Sequence, residues 1–171
     1  MKKLLSAISA LFLSVNLFAL GAGVQVSCKP AFPLKENSLP FSVGQNITGT
    51  FKTERIPAVI AVGLDFFETE KVFGFGFNAT ADYLVFESQL KNITNIYGGL
   101  GITGDLYYTT SSDFFYDAGM RVLIGVNFHF YDGFLELYVQ QAFSPVIQFI
   151  PDAEKSFAFK LPLEAGFRIH F

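Results

Sequence analysis

The chain has 171 residues, of which 51% are hydrophobic, 17% aromatic and only 16% charged, and its net charge is −3. This length suffices for one domain with a core, and the small, mixed charge argues against a nucleic-acid partner. The single cysteine, Cys28, excludes an internal disulfide framework and a cysteine-based metal cluster.

The N-terminus has the pattern of a secretory signal peptide. Lys2 and Lys3 precede an apolar run from Leu4 to Leu20, and small residues follow at its end. We predict a signal peptide over residues 1–21, cleaved near 19–21, and a mature domain over 22–171. A permanent transmembrane helix is the alternative, but serine and asparagine interrupt the run and no basic cluster follows it. No later segment is apolar for long enough to form a membrane helix, so a membrane-spanning mature chain must cross as strands.

Eight segments of the mature chain alternate between apolar and polar residues, as half-buried strands do. These candidate strands lie near 22–28, 41–51, 57–67, 72–84, 95–106, 118–130, 134–144 and 161–171. Long, polar or proline-bearing loops are predicted over 29–40, 107–117 and 145–160. Shorter turns are predicted over 52–56, 85–94 and 131–133, and the connection at 69–71 is short where a long one is expected. Long loops at one end and short turns at the other are typical of transmembrane β-barrels.

The two faces of each strand differ sharply. In the sixth strand the even-numbered positions from Met120 to Phe130 are all apolar, whereas the odd-numbered positions from Arg121 to His129 include Gly125 and Asn127. Periodicity alone does not say which face points inward. A soluble lipocalin-like barrel would turn the apolar face in, and an outer-membrane barrel would turn it out.

The lysines favour the outer-membrane orientation. All lysines after the signal peptide fall in predicted loops or at strand ends: Lys29, Lys35, Lys52, Lys71, Lys91, Lys155 and Lys160. A water-facing sheet would scatter such side chains along its exposed face. A lysine at the bilayer midplane costs about 2–4 kcal/mol, so their absence from strand centres predicts a lipid-facing wall. The predicted fold is therefore an all-β, eight-stranded, antiparallel up-and-down transmembrane barrel.

In this orientation the polar face lines the lumen and carries a charge network. Its predicted members are Asp65, Asp82, Asp105, Arg121, His129, Glu136, Glu164, Arg168 and His170. Unpaired buried charges are costly, so we expect Arg121 and Arg168 to pair with Glu136 and Glu164. An eight-stranded barrel is just wide enough for its own side chains, which favours a plugged lumen over a pore. An ion or solute path is the alternative use of the same residues.

An enzymatic or metal-binding function is not favoured by the motifs. His129 and His170 could join Asp105 or Glu164 in a hydrolytic triad or a metal site, but the chain has no G-x-S-x-G, H-E-x-x-H or Cys/His spacing. We predict no enzyme, no metal and no cofactor.

The last strand alternates to the final residue, with Phe167, Ile169 and Phe171 on its apolar face. A strand that ends the chain on an aromatic residue resembles the closing strand of outer-membrane barrels, in which it serves as the assembly signal. The segments 119–125, 128–130, 135–137 and 165–171 resemble an uncharacterised family of small outer-membrane barrels from spirochaetes and other diderm bacteria. Leu123 stands where that family usually has proline. The resemblance implies an OmpA- or OmpW-like barrel inserted by the barrel assembly machinery, and no settled activity.

The interpretation that follows is an integral barrel of the bacterial outer membrane, surrounded by lipid. Its expected role is structural or surface-exposed, with adhesion or host contact through the loops at 29–40, 107–117 and 145–160. The alternatives are OmpW-like transport of small hydrophobic solutes and a soluble lipocalin-like binder.

Overall fold

The computed structural model describes residues 20–34, 42–53, 56–68, 73–109, 114–149 and 156–171. Nine strands follow one another: β1 (Leu20–Pro33), β2 (Ser42–Thr53), β3 (Ala58–Glu68), β4 (Phe73–Lys91), β5 (Thr94–Thr109), β6 (Phe114–Phe130), β7 (Leu135–Phe149), β8 (Ser156–Lys160) and β9 (Leu163–His170). Within these ranges no helix has the length and apolar character to cross a membrane. The predicted signal peptide lies outside the described residues up to Ala19, and Leu20 already pairs with Thr53 of β2.

The strands close into a ring. From β1 to β7 each strand pairs antiparallel with the next, and β8 and β9 both pair with β7 on one side and with β1 on the other. β8 and β9 are two parts of one strand, interrupted at Leu161 and Pro162, where proline cannot donate a ladder hydrogen bond. The ring therefore has eight strands, and the predicted up-and-down barrel is confirmed.

The apolar side chains point away from the barrel axis. Met120 is 69% exposed and its neighbour Arg121 only 2% exposed, and Phe77 and Asn78 differ in the same way at 55% and 3%. A soluble protein with such an outer surface would aggregate, whereas acyl chains cover it without cost. This orientation rules out the soluble lipocalin-like alternative.

The strands are longer than predicted, so much of the three predicted long loops was assigned wrongly. β1 runs to Pro33, β5 ends at Thr109, β6 begins at Phe114, and β7 and β8 take up most of 145–160. The alternation continues through these stretches, since Val146 and Gln148 of β7 are buried and Ile147 between them is exposed. The parts left between strands at 35–41, 110–113 and 150–155 lie outside the described residues.

The barrel has two distinct ends. The lower end, as we call it, carries both termini of the described barrel and the turn at residues 131–134, in which Tyr131, Asp132 and Gly133 have positive φ angles of 53°, 58° and 92°. The upper end carries the β1–β2, β3–β4, β5–β6 and β7–β8 connections.

Aromatic rings surround the outside of the barrel near the upper end. Tyr116 stacks on Phe149 with centroids 4.7 Å apart, and Phe32 stacks on Phe159 at 5.1 Å. Such belts mark the membrane–water interface. Tyr107, near the upper end of β5, instead points into the lumen and is 5% exposed.

Candidate functional site in the barrel interior

The interior is densely charged. Six acidic and five basic side chains are buried among the described residues: Asp65, Asp82, Asp105, Asp117, Glu136 and Glu164, with Lys29, Lys52, Arg121, Lys160 and Arg168. Charges of opposite sign nearly balance, as they must where water is scarce. They form three clusters along the barrel axis.

The upper cluster joins two lysines to three aspartates. Lys29 of β1 contacts Asp65 of β3 and, at 3.0 Å, Asp105 of β5. Lys160 of β8 lies 2.7 Å from both Asp105 and Asp117. β1 and β5 face each other across the eight-stranded ring, so the Lys29–Asp105 pair crosses the lumen.

Three aromatic rings lie beside the upper cluster inside the barrel. Tyr107 stacks on Phe115 with centroids 4.8 Å apart, and Phe67 meets both rings edge-on at 5.1 and 5.5 Å. The Tyr107 hydroxyl donates a 2.8 Å hydrogen bond to Asp65. The space left among these groups is about 20 Å³, which is room for about one water molecule. The upper part of the lumen is filled by side chains.

The middle cluster centres on Arg121 of β6. Its guanidinium group donates two hydrogen bonds of 3.2 and 2.8 Å to Glu164 of β9, and its Nε lies 3.0 Å from Asp82 of β4. Gln140 of β7 also donates to Glu164 and accepts a 2.8 Å hydrogen bond from the Tyr97 hydroxyl. Five strands are thereby tied together at mid-height.

The lower cluster centres on Glu136, which is fully buried at the start of β7. Its Oε1 accepts hydrogen bonds from Asn127 at 2.8 Å and from Lys52 and Arg168 at 3.3 Å each. Its Oε2 lies 2.9 Å from Nε2 of His170.

Other side chains hold the groups around Glu136 in place. The guanidinium of Arg168 lies over the ring of Tyr138 at 3.8 Å, a cation–π contact. Lys52 also reaches Glu87 at 3.4 Å, and Nδ1 of His129 is 3.3 Å from the Asn95 amide. The lower cluster is therefore partly open: Glu136 is enclosed while both histidines are half-buried.

The structure distributes the predicted network residues over all three clusters. Arg168 contacts Glu136 and Arg121 contacts Glu164, but Arg121 also pairs with Asp82. Asp65 and Asp105 belong to a separate cluster, and His129 contacts Asn95 rather than a carboxylate.

Sequence reasoning missed Lys29, Lys52, Lys160 and Asp117. Asp117, Lys29 and Lys160 were assigned to loops, and Lys52 to a turn. The lysines were kept out of the strands because a lipid-facing lysine is costly, and a lumen-facing position was not considered for them. Each lies at an inward position of a strand, two residues from another buried residue, such as Ser27 for Lys29, Phe115 for Asp117 and Ala158 for Lys160. That spacing was the signal that could have found them.

The hydrolytic triad considered from the sequence is not assembled. Asp105 lies in the upper cluster and Glu164 in the middle cluster, whereas His170 contacts Glu136. The predicted assembly residues lie on the outer surface at the lower end, where Phe167 is 42% and Phe171 is 77% exposed and Ile169 is partly covered.

No protein-family model and no curated protein matches the sequence. Among solved structures, the fold is similar to Neisserial surface protein A, with a TM-score of 0.63, 14% identity, and 89% of this chain and 97% of that chain covered. The attachment invasion locus protein Ail of Yersinia pestis has a TM-score of 0.46, with 12% identity over 89% of this chain and 99% of that chain. A major outer membrane protein of Thermus thermophilus has a TM-score of 0.45, with 10% identity over 90% of this chain and all of that chain. The first likeness shows the fold, that of a small outer-membrane β-barrel.

Proposed function

We propose that this chain is an integral β-barrel of the bacterial outer membrane with a closed lumen, and that its role is structural or surface-exposed. The observation that carries the proposal is the set of ion pairs that cross the lumen between strands that are not neighbours. Lys29 to Asp105, Lys52 to Glu136 and Arg121 to Glu164 bridge the interior at three heights. Together with the aromatic rings of the upper end, which leave about 20 Å³ of space among them, they support a lumen that is closed to solutes.

Conductance in planar bilayers tests the closed lumen. The refolded barrel, inserted without a tag, is expected to give flat current traces at both polarities. The matched variant combines Asp105→Ala, Lys29→Ala and Lys160→Ala with Asp65→Asn and Asp117→Asn, which removes the upper crossing groups without leaving their buried carboxylate partners unpaired. Discrete current steps from the native barrel would contradict the proposal and favour the transport of solutes instead.

The surface-exposed role requires the upper end to face the outside of the cell. An epitope inserted in the β1–β2 connection, between Leu34 and Ser42, should be detected by antibody on intact cells. The same epitope inserted in the turn at 131–134 should be detected only after the outer membrane is permeabilised. The opposite labelling pattern would show that the upper connections face the periplasm, which would remove the adhesion and host-contact role.

Insertion itself is measured by heat-modifiable gel mobility, because a folded membrane barrel stays compact in unboiled detergent. Partition with outer-membrane fractions is the second readout. A protein that is released in soluble form and shows one mobility before and after boiling would contradict the proposal as a whole.

A further inference from the structure

The lower cluster contains two histidines, His129 and His170, that the closed-lumen function does not require. His129 at the end of β6, Glu136 at the start of β7 and His170 at the end of β9 each offer one ligand atom, and these three atoms lie within 4.8 Å of one another. From this geometry we propose that the three residues form a binding site for a divalent transition metal ion of the zinc type at the lower mouth of the barrel.

The donor set suits such an ion. Two imidazole nitrogens and one carboxylate oxygen are the ligands of many three-residue zinc sites, which keep a fourth position for water. Around a tetrahedral zinc ion with ligands at about 2.1 Å, neighbouring ligand atoms are about 3.4 Å apart. Because the ligand atoms lie within 4.8 Å of one another, the distances between them have to shorten by no more than about 1.4 Å to reach that spacing, and both histidines are only half-buried.

Surrounding groups already position the donors. The Oε1 atom of Glu136 is held by Asn127, Lys52 and Arg168, which leaves Oε2 directed at His170. The Asn95 amide contacts the ring of His129. Hydrogen bonds to a carboxylate ligand, like those on Glu136, fix its orientation at the metal.

The charge around the site does not oppose a cation. Lys52 and Arg168 carry two positive charges, and Glu87 and Glu136 carry two negative charges, so the four sum to zero when the histidines are neutral. Lys52 is moreover shared between both carboxylates, at 3.4 Å from Glu87 and 3.3 Å from Glu136.

An ion can reach the site from the aqueous phase at the lower end. His129 opens onto a recess that is also lined by Glu87, Gln89, Asn92, Ile93 and Asn95. All of these except Ile93 are polar, and Glu87 supplies an additional carboxylate at the entrance. Such a recess attracts cations and gives them a hydrated route to the histidines.

Calorimetric titration of the folded barrel with ZnCl₂ tests the proposal. The protein is prepared without a histidine tag and with Cys28→Ser, because Cys28 is the only thiol and the two site histidines are the only histidines. We expect one zinc ion per barrel, with at least a tenfold loss of affinity in His129→Asn and in His170→Asn. Glu68→Gln, which removes an exposed carboxylate at the upper end of β3, should bind zinc like the parent.

Heat-modifiable mobility confirms that each variant is folded. Because His129 makes fewer contacts than His170, His129→Asn alone carries the test if His170→Asn does not fold. Zinc-edge anomalous diffraction from soaked crystals should place one peak between the two histidine rings. The proposal is overturned by a zinc dissociation constant above about 1 mM, by an unchanged dissociation constant in His129→Asn, or by an anomalous peak elsewhere. None of these outcomes bears on conductance or surface exposure, so the site fails or stands independently of the proposed function.

Discussion

Replacing Arg121 with methionine should be among the most damaging single changes in this barrel. Arg121 is 2% exposed and neutralises two carboxylates, Glu164 through two hydrogen bonds and Asp82 through an ion pair at 3.0 Å. Methionine keeps much of the side-chain volume but leaves both carboxylates buried without their cation. Breaking a buried pair in this way costs about 3–5 kcal/mol, so we expect the free energy of unfolding to fall by about that amount.

The assay is urea unfolding of the barrel in lipid vesicles, followed by tyrosine fluorescence and by gel mobility. Val122→Met is the matched control, because it introduces the same side chain at the adjacent position, which is 52% exposed on the lipid-facing side. We expect that control to change the free energy of unfolding by no more than about 0.5 kcal/mol.

A triple variant separates lost charge balance from lost packing. Arg121→Met combined with Glu164→Gln and Asp82→Asn removes all three charges, so most of the stability lost in the single variant should return. A loss below about 1 kcal/mol in Arg121→Met would be typical of solvated surface pairs and would refute the description of a dry, paired interior. A triple variant as unstable as the single one would refute the electrostatic cause.

Three further changes test other parts of the structure. Ile124→Lys places an ammonium group on the lipid-facing wall and should lower the free energy of unfolding in vesicles by about 2–4 kcal/mol, whereas Val85→Lys at the lower end should cost about 1 kcal/mol or less. Gly125→Ala should destabilise the barrel by about 1–3 kcal/mol, because its Cβ would meet the Tyr97 ring at 2.6 Å, and Tyr97→Ala should suppress much of this effect. Deletion of Phe171, which is 77% exposed, should slow insertion by the assembly machinery while leaving urea unfolding of the inserted barrel unchanged.

The fold was predictable because a barrel wall with lipid on one side and a polar lumen on the other requires apolar and polar residues to alternate along each strand. β6 shows both the strength and the limit of that signal. Its centre was predicted correctly, but its first few residues were assigned to a loop, although Phe115 and Asp117 point inward and Tyr116 points outward. Near a strand end, aromatic and acidic residues resemble the composition of a loop. The end of the strand is therefore found only where the alternation of inward and outward residues stops.

The interior contacts were less predictable than the strands. Arg168 and Glu136 are register neighbours on β9 and β7, so the sequence pattern was enough to suggest their contact. Arg121 and Glu164 lie on β6 and β9 with β7 between them, and Lys29 and Asp105 lie on opposite sides of the ring. Such contacts depend on the stagger and diameter of the closed barrel, which no single strand encodes.

The buried charges offer a physical reason for the strand register. A slip of one residue between two strands would turn every inward side chain of one strand toward lipid. In β6 that slip would carry Arg121 to the outer wall at mid-height, where a guanidinium group in contact with acyl chains would cost about 2–4 kcal/mol. Apolar lumen residues of the same size would stabilise the barrel equally well but would impose almost no such penalty on a slipped register. The charge clusters therefore contribute more to selecting one barrel over its slipped alternatives than to the stability of the barrel once it has formed.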